Sequence, residues 1–174
     1  LENLSRMDNN ISSKLFPVSW DQFHRDSKAL AWRLADKADW SAIIAVTRGG
    51  LVPSAIVARE LNVRIIETIC VTSYNPEHKK GDIEVLKRIS DNLLSDPKFK
   101  LDTILCIDDL VDTGSTMAVV KDMIPGAHIA TVYAKPEGLS NVDTFVTEVS
   151  QDTWIYFPWD TELQFSPPIN PGGV

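Results

Sequence analysis

At 174 residues, 44% of them hydrophobic, the chain suffices for one well-packed domain and is short for two. A formal net charge of -7 and a pI near 4.9 exclude the broad basic face with which proteins grip nucleic-acid backbones, yet leave room for a compact anion site made of a few backbone amides and one or two cations. No apolar run reaches the roughly 20 residues of a membrane-spanning helix and no signal-peptide pattern opens the chain, so a soluble intracellular protein is expected.

Residues 1–6 are set aside from fold reasoning because Met7, not Leu1, resembles an initiator, and residues 1–17 are read as an N-terminal extension. In "SWDQFHRDSKALAWRLADK", Ser19 can cap a helix, Gln22 can complete a capping box, and Phe23, Leu30 and Leu34 recur at helical spacing. "SAIIAVTRGG" is a short apolar run ending in Arg48, Gly49 and Gly50, which predicts a buried strand opening into a tight loop. "VPSAIVAREL" predicts a helix with Pro53 in its first turn, where the missing amide proton is tolerated. "VRIIETICVTSY" gives one strand or two.

From Asn75 to Lys100 the chain turns polar, and only "IEVLKRISDNLL" is patterned like a helix or hairpin remnant. Residues 74–100 are therefore expected to form a lid loop between core strands. "LDTILCID" predicts the next buried strand, followed by a helix from about Ser115 to Met123 that Pro125 and Gly126 stop. "AHIATVYAK" and "DTFVTEVSQ" complete the strands, and an aromatic, proline-rich tail follows. Alternating strands and helices, with strands apolar on both faces, define an α/β core over residues 18–150 with a mostly parallel sheet flanked by helices, and residues 151–174 form a small C-terminal segment. Cys70 and Cys106 lie in separate apolar runs without the spacing of a zinc site or redox pair, which predicts buried free thiols.

The chemistry concentrates in "ILCIDDLVDTGST". Ligands of open α/β sheets gather beyond the carboxyl ends of the strands, where Asp108 and the residues after it belong. From Asp112 to Thr116 the side chains are short or hydroxylated, and Gly114 permits a sharp turn that aims several amides into one concavity at a helix N-terminus, a cradle for a monophosphate. The upstream carboxylates would repel phosphate and suit a sugar diol, a divalent cation or proton transfer. A phosphorylated sugar fits both halves.

"DDLVDTGST" resembles the phosphoribosyl pyrophosphate motif of the type I phosphoribosyltransferases. An acidic turn without a ligand is the plain alternative. A haloacid-type phosphatase loop is the other, but it wants two aspartates one residue apart, whereas Asp108 and Asp109 are adjacent. The segments "AVTRGGLVPSAIVAREL", "TSY", "VLKR", "YAKP", "QDTWI" and "PWD" extend the resemblance to the bacterial xanthine-guanine phosphoribosyltransferases across nearly the whole chain.

That resemblance implies the type I phosphoribosyltransferase fold, with a mobile lid and a hood over the purine, and it implies roles. Asp108 and Asp109 bind the ribose hydroxyls, and Asp109 helps hold Mg2+. Asp112 handles the purine N7 proton, although an aspartate here also suits a helix cap. Asp112, Thr113, Gly114, Ser115 and Thr116 wrap the 5'-phosphate; Ser115 stands where many relatives carry a second glycine. Arg48 and Gly49 meet pyrophosphate, and the peptide between them is expected to be often cis in this family. Lys135, otherwise an ordinary solvated lysine, reads the 6-oxo group and refuses a 6-amino group. Trp154 and Ile155 cover the base, and Trp159 and Asp160 join the same hood, Asp160 as a weak candidate for admitting xanthine. Ser73 and Tyr74 open the lid; Lys79, Lys80, Lys87 and Arg88 within it carry no assigned role.

The activity implied is Mg2+-dependent phosphoribosyl transfer to N9 of guanine or xanthine, and less well hypoxanthine, in purine salvage. The rival is a regulatory homologue that senses phosphoribosyl pyrophosphate without turnover. The resemblance further implies small-molecule partners, no nucleic acid, a homo-oligomer (dimer or tetramer), and a cytoplasmic location with possible peripheral association with the inner membrane.

Overall fold

The structure is a computed structural model, and it describes residues 14–72 and 83–160. The chain divides into two compact units, His24–Gln151 and a smaller one made of Leu1–Phe23 with Asp152–Val174.

The first helix, α1 (Trp20–Leu34), starts where the sequence places it: the Gln22 amide donates to the Ser19 hydroxyl at 3.2 Å, and Leu30 and Leu34 are fully buried. In the larger unit, β2 (Ala42–Thr47), β3 (Ile66–Thr72), β4 (Glu84–Lys87), β5 (Ile104–Val111), β6 (His128–Ala134) and β7 (Thr144–Glu148) form one sheet in the order β4-β3-β2-β5-β6-β7. Every neighbouring pair is parallel except β3 with β4. The helices α2 (Leu51–Glu60), α3 (Asp91–Ser95) and α4 (Ser115–Met123) fall between strands, giving the mostly parallel α/β sheet that the sequence predicts.

The central strands are continuous apolar runs because helices cover both faces of a parallel sheet. Ile43, Ile44, Leu105 and Ile107 are wholly inaccessible, each stabilising the fold by about 1.5–3 kcal/mol relative to exposure. Cys106 lies among them, and burial pushes its thiol up to about 12, so it behaves as a small apolar residue. Cys70 is only half-buried.

Two expectations change. The segment read as a lid over residues 74–100 is a lid over at most its first part. Glu84–Lys87 is the antiparallel edge strand of the sheet, fastened by Lys87 Nζ at 2.7 Å from Glu67 Oε1 and 2.6 Å from the Thr68 carbonyl. Ile89 and Leu93 then bury their side chains in the core. Four residues cannot show helical or strand periodicity clearly, so only the pairing with β3 reveals the element.

The second change concerns the N-terminal extension. Its last residues form β1 (Lys14–Pro17), which pairs in parallel with β8 (Thr153–Tyr156) as the two-stranded sheet of the smaller unit, with Leu15 opposite Trp154 and Phe16 opposite Ile155. The Val18 amide donates to the Tyr156 carbonyl at 2.9 Å and continues the pairing. Phe23, Phe157 and Trp159 pack together, Trp159 stacking on Phe157 at 4.8 Å and meeting the edge of Phe23 at 5.0 Å.

Candidate active site

Three adjacent strands of the larger unit deliver the predicted side chains to one edge. β2 ends at Thr47 and hands over to Arg48, Gly49 and Gly50; β5 ends at Val111 and leads into the loop at 112–114; β6 ends at Ala134, followed by Lys135. The Lys135 amide donates to the Val111 carbonyl at 2.9 Å, fixing the β6 exit against the β5 exit.

β5 runs three residues beyond its first aspartate, so Asp108 and Asp109 are strand residues rather than loop residues. The Asp109 amide donates to Asp108 Oδ1 at 2.9 Å, and the Gly50 amide also donates to Asp108. Burial, and then the neighbouring Asp109 carboxylate, push the Asp108 carboxyl well above its ordinary value of 3.8. Gly49 makes the crowding possible: a Cβ there would stand 2.3 Å from Asp109 Oδ1 and 2.5 Å from Oδ2. A Cβ on Gly50 would stand 2.2 Å from the Ile107 carbonyl oxygen, so the two glycines let the β2 turn lie flat on β5.

A carboxyl group whose folded pKa is raised costs stability as pH climbs from its unfolded value toward the folded one, because the folded chain holds its proton longer. Asp108→Asn keeps an acceptor for both amides and removes the charge. It should therefore raise Tm at pH 7 by about 2–4 °C, the shift that about 1 kcal/mol produces in a chain of this size. The gain should shrink toward zero below pH 4; thermal melts across pH check this, and an unchanged or lower Tm at pH 7 would refute the crowding argument.

Next to the carboxylates, Gly114 adopts φ 83° and starts α4, with the Ala118 amide donating to its carbonyl at 2.9 Å. A Cβ at Gly114 would stand 2.5 Å from Asn141 Nδ2, so both conformation and space require glycine. The Thr113 and Ser115 hydroxyls lie 3.0 Å apart, and the first amides of α4 lack intrahelical acceptors. Asp108 and residues 110–117 line a cavity of about 650 Å³. An anion is favoured at its helix end and a polar, hydrogen-bonding group at its carboxylate end.

Asp112 and Lys135 meet. Lys135 Nζ lies 3.0 Å from Asp112 Oδ2; the lysine side chain is only 7% exposed, whereas Asp112 is 53% exposed and so available to a ligand. The other oxygen, Oδ1, accepts from Gln151 Nε2 at 2.8 Å, and Gln151 Oε1 accepts from the Glu137 amide at 3.1 Å. The short helical turn Pro136–Asn141 fits beneath because Gly138 has no Cβ; one would stand 2.8 Å from the Asp112 carbonyl oxygen. The sequence assigned no role to Gln151, since its partners lie 14 and 39 residues away and a glutamine next to an aspartate carries no motif.

The cis peptide is Thr47–Arg48, one bond earlier than the Arg48–Gly49 link singled out in the sequence, and the Arg48 side chain is exposed. Trp154 and Ile155 belong to the smaller unit, where they alternate: Trp154 is 60% exposed and Ile155 is buried. Trp159 is a packing partner of Phe157 and Phe23, and Asp160 Oδ2 accepts from the Phe157 amide at 3.4 Å, which are local structural duties. Ser73 and Tyr74, with Lys79 and Lys80, lie outside the described residues.

Among the described residues no group of three or more His, Cys, Asp or Glu side chains forms a metal cage. The Asp108–Asp109 pair nevertheless fits Mg2+, a hard cation that takes one or two carboxylates and fills its remaining positions with water and substrate phosphates. No helix among those residues is long and apolar enough to cross a membrane.

This is an α/β protein with its ligand site at the carboxyl ends of a parallel sheet. Residues 19–166 match the phosphoribosyl transferase domain model, and the chain belongs to that family, with the type I fold. Its fold is similar to that of a purine phosphoribosyltransferase from Pyrococcus horikoshii Ot3, at 27% identity and a TM-score of 0.69, covering 88% of this chain and 98% of that one. It is also similar to the Helicobacter pylori xanthine-guanine-hypoxanthine phosphoribosyltransferase, at 24% identity and a TM-score of 0.65, covering 84% and 94%. The L. donovani hypoxanthine-guanine phosphoribosyltransferase aligns at 20% identity and a TM-score of 0.57, covering 76% and 80%.

Proposed function

We propose that the chain transfers the phosphoribosyl group from phosphoribosyl pyrophosphate to N9 of guanine or xanthine, and less well hypoxanthine, with Mg2+. The observation that carries this reading is the Lys135–Asp112 pair at 3.0 Å, bordering the cavity that the carboxylate pair and the phosphate loop share. A fixed cation beside a carboxylate offers a donor to a ring carbonyl and an acceptor to the neighbouring ring N–H. A 6-oxopurine displays that pair at O6 and N7, whereas adenine meets Lys135 with an amino group. The similarity to the Pyrococcus purine enzyme supports the same substrate class.

In this reading residues 113–116 hold the 5'-phosphate with backbone amides and hydroxyls, while Asp108 and Asp109 orient the ribose hydroxyls. As the bond from C1 to pyrophosphate breaks, the bond from C1 to N9 forms and the N7 proton passes to Asp112. Arg48 and the amides of the β2 turn take up the charge of the departing pyrophosphate. Asp108 and Asp109 would hold Mg2+, which when bound neutralises phosphate charge.

The test offers guanine, xanthine, hypoxanthine and adenine in turn with phosphoribosyl pyrophosphate and Mg2+, and follows nucleotide formation. Turnover of the 6-oxopurines without adenine is expected. Equal use of adenine would overturn the role of Lys135, and donor binding without turnover of any base would make the chain a sensor.

A further inference from the structure

We propose that Gln151 is a positioning residue for Asp112, holding its carboxylate in the orientation in which it accepts the purine proton; the inference rests on the role given to Asp112 above. Asp112 is about half exposed and stands on a loop, so nothing in its local backbone fixes the rotation of its carboxylate. Two contacts do so from opposite sides. Lys135 Nζ takes Oδ2 at 3.0 Å, and Gln151 Nε2 takes Oδ1 at 2.8 Å.

The Gln151 amide is itself oriented. The Glu137 N–H donates to Oε1 at 3.1 Å, so the carbonyl end is committed to the turn Pro136–Asn141 and the NH2 end must face Asp112. Because the same turn begins directly after Lys135, the amide and the lysine are anchored to one piece of backbone. The carboxylate is thereby gripped by two donors whose spacing that backbone sets, while each of its oxygens keeps a further lone pair for the base. A reacting group held this way spends little of its rate on finding its orientation.

Gln151 also ties the turn to the β7–β8 connection, and a purely structural strap is the competing role. Gln151→Glu separates the two: the carboxylate still accepts from the Glu137 N–H, so the strap survives, but the donor to Asp112 becomes a second negative charge.

The experiment measures kcat and KM for guanine and for phosphoribosyl pyrophosphate, with Tm, in the full chain and in Gln151→Glu, Gln151→Ala, Asp112→Asn and Asp112→Asn/Gln151→Glu. Gln151→Glu should melt within about 2 °C of the unaltered protein and lose about tenfold to a hundredfold in kcat, the range spanned by a hydrogen bond to a charged group. Its KM for phosphoribosyl pyrophosphate should stay within twofold. Gln151→Ala should lose a similar factor in kcat and melt lower. The double variant should be no slower than Asp112→Asn alone, since a residue that works through Asp112 has nothing left to position.

Unaltered kcat in Gln151→Glu, or a loss confined to KM for the donor, would overturn the proposal and leave the base-transfer reading standing. No turnover of any purine by the unaltered chain would overturn both.

Discussion

Guanine turnover by Asp112→Asn should fall about a hundredfold or more, the span that a positioned acid or base contributes. The substitution preserves shape and removes the proton acceptor. Its geometry is also informative: if the new amide keeps its oxygen on Lys135, its NH2 group faces Gln151 Nε2, where the native contact is 2.8 Å. Two donors cannot share that line. Gln151 must turn, forfeiting the Glu137 N–H it holds at 3.1 Å, so Tm should drop by about 2–4 °C as well. Initial rates and thermal melts on one preparation test both consequences. Guanine turnover within threefold of the unaltered protein would remove Asp112 from the chemistry.

The second large effect is expected at a residue with no side chain. Gly49→Ala would place a Cβ 2.3 to 2.5 Å from the Asp109 carboxylate atoms, far inside contact distance. The obstacle is the end of a rotatable side chain, so the fold should survive with the carboxylate displaced. A displacement on the order of 1 Å at a substrate-positioning group costs about a hundredfold. Titration calorimetry with phosphoribosyl pyrophosphate and Mg2+ should therefore record a tenfold to hundredfold loss of affinity at nearly constant Tm. Gly50→Ala should behave differently, because its Cβ would meet backbone atoms, Ile107 O at 2.2 Å and Val46 O at 2.7 Å, that cannot turn away. Native affinity in Gly49→Ala would mean that Asp109 does not touch the donor.

Where the chain's physics is local, the sequence was legible. The strands of the parallel sheet announce themselves as unbroken apolar runs because both faces are buried, and α4 begins at Ser115 and ends at Met123 as its glycine and proline punctuation predicts. Ser19 capping α1 is likewise a short-range matter. Four-residue strands escaped: β4 reads as polar lid, and β1 reads as a dispensable leader, because each is defined by a distant partner and not by its own pattern. Lys135 and Asp112 were each singled out, but the sequence did not anticipate that they meet in an ion pair. Gln151 and the space beneath Asp109 were invisible for the same reason, since a hydrogen bond spanning 39 residues and a missing Cβ leave no periodic trace.

The pairing of β1 with β8 bears on how the chain is made. A ribosome releases Lys14–Pro17 long before Thr153–Tyr156, so the first described strand must wait for the last one before its ladder can close. His24–Gln151, by contrast, is one continuous stretch and can complete its sheet while the remainder is still being synthesised. Phosphate loop and carboxylate pair are thus finished early, and the aromatic segment carrying Trp154 is the last ordered piece to arrive.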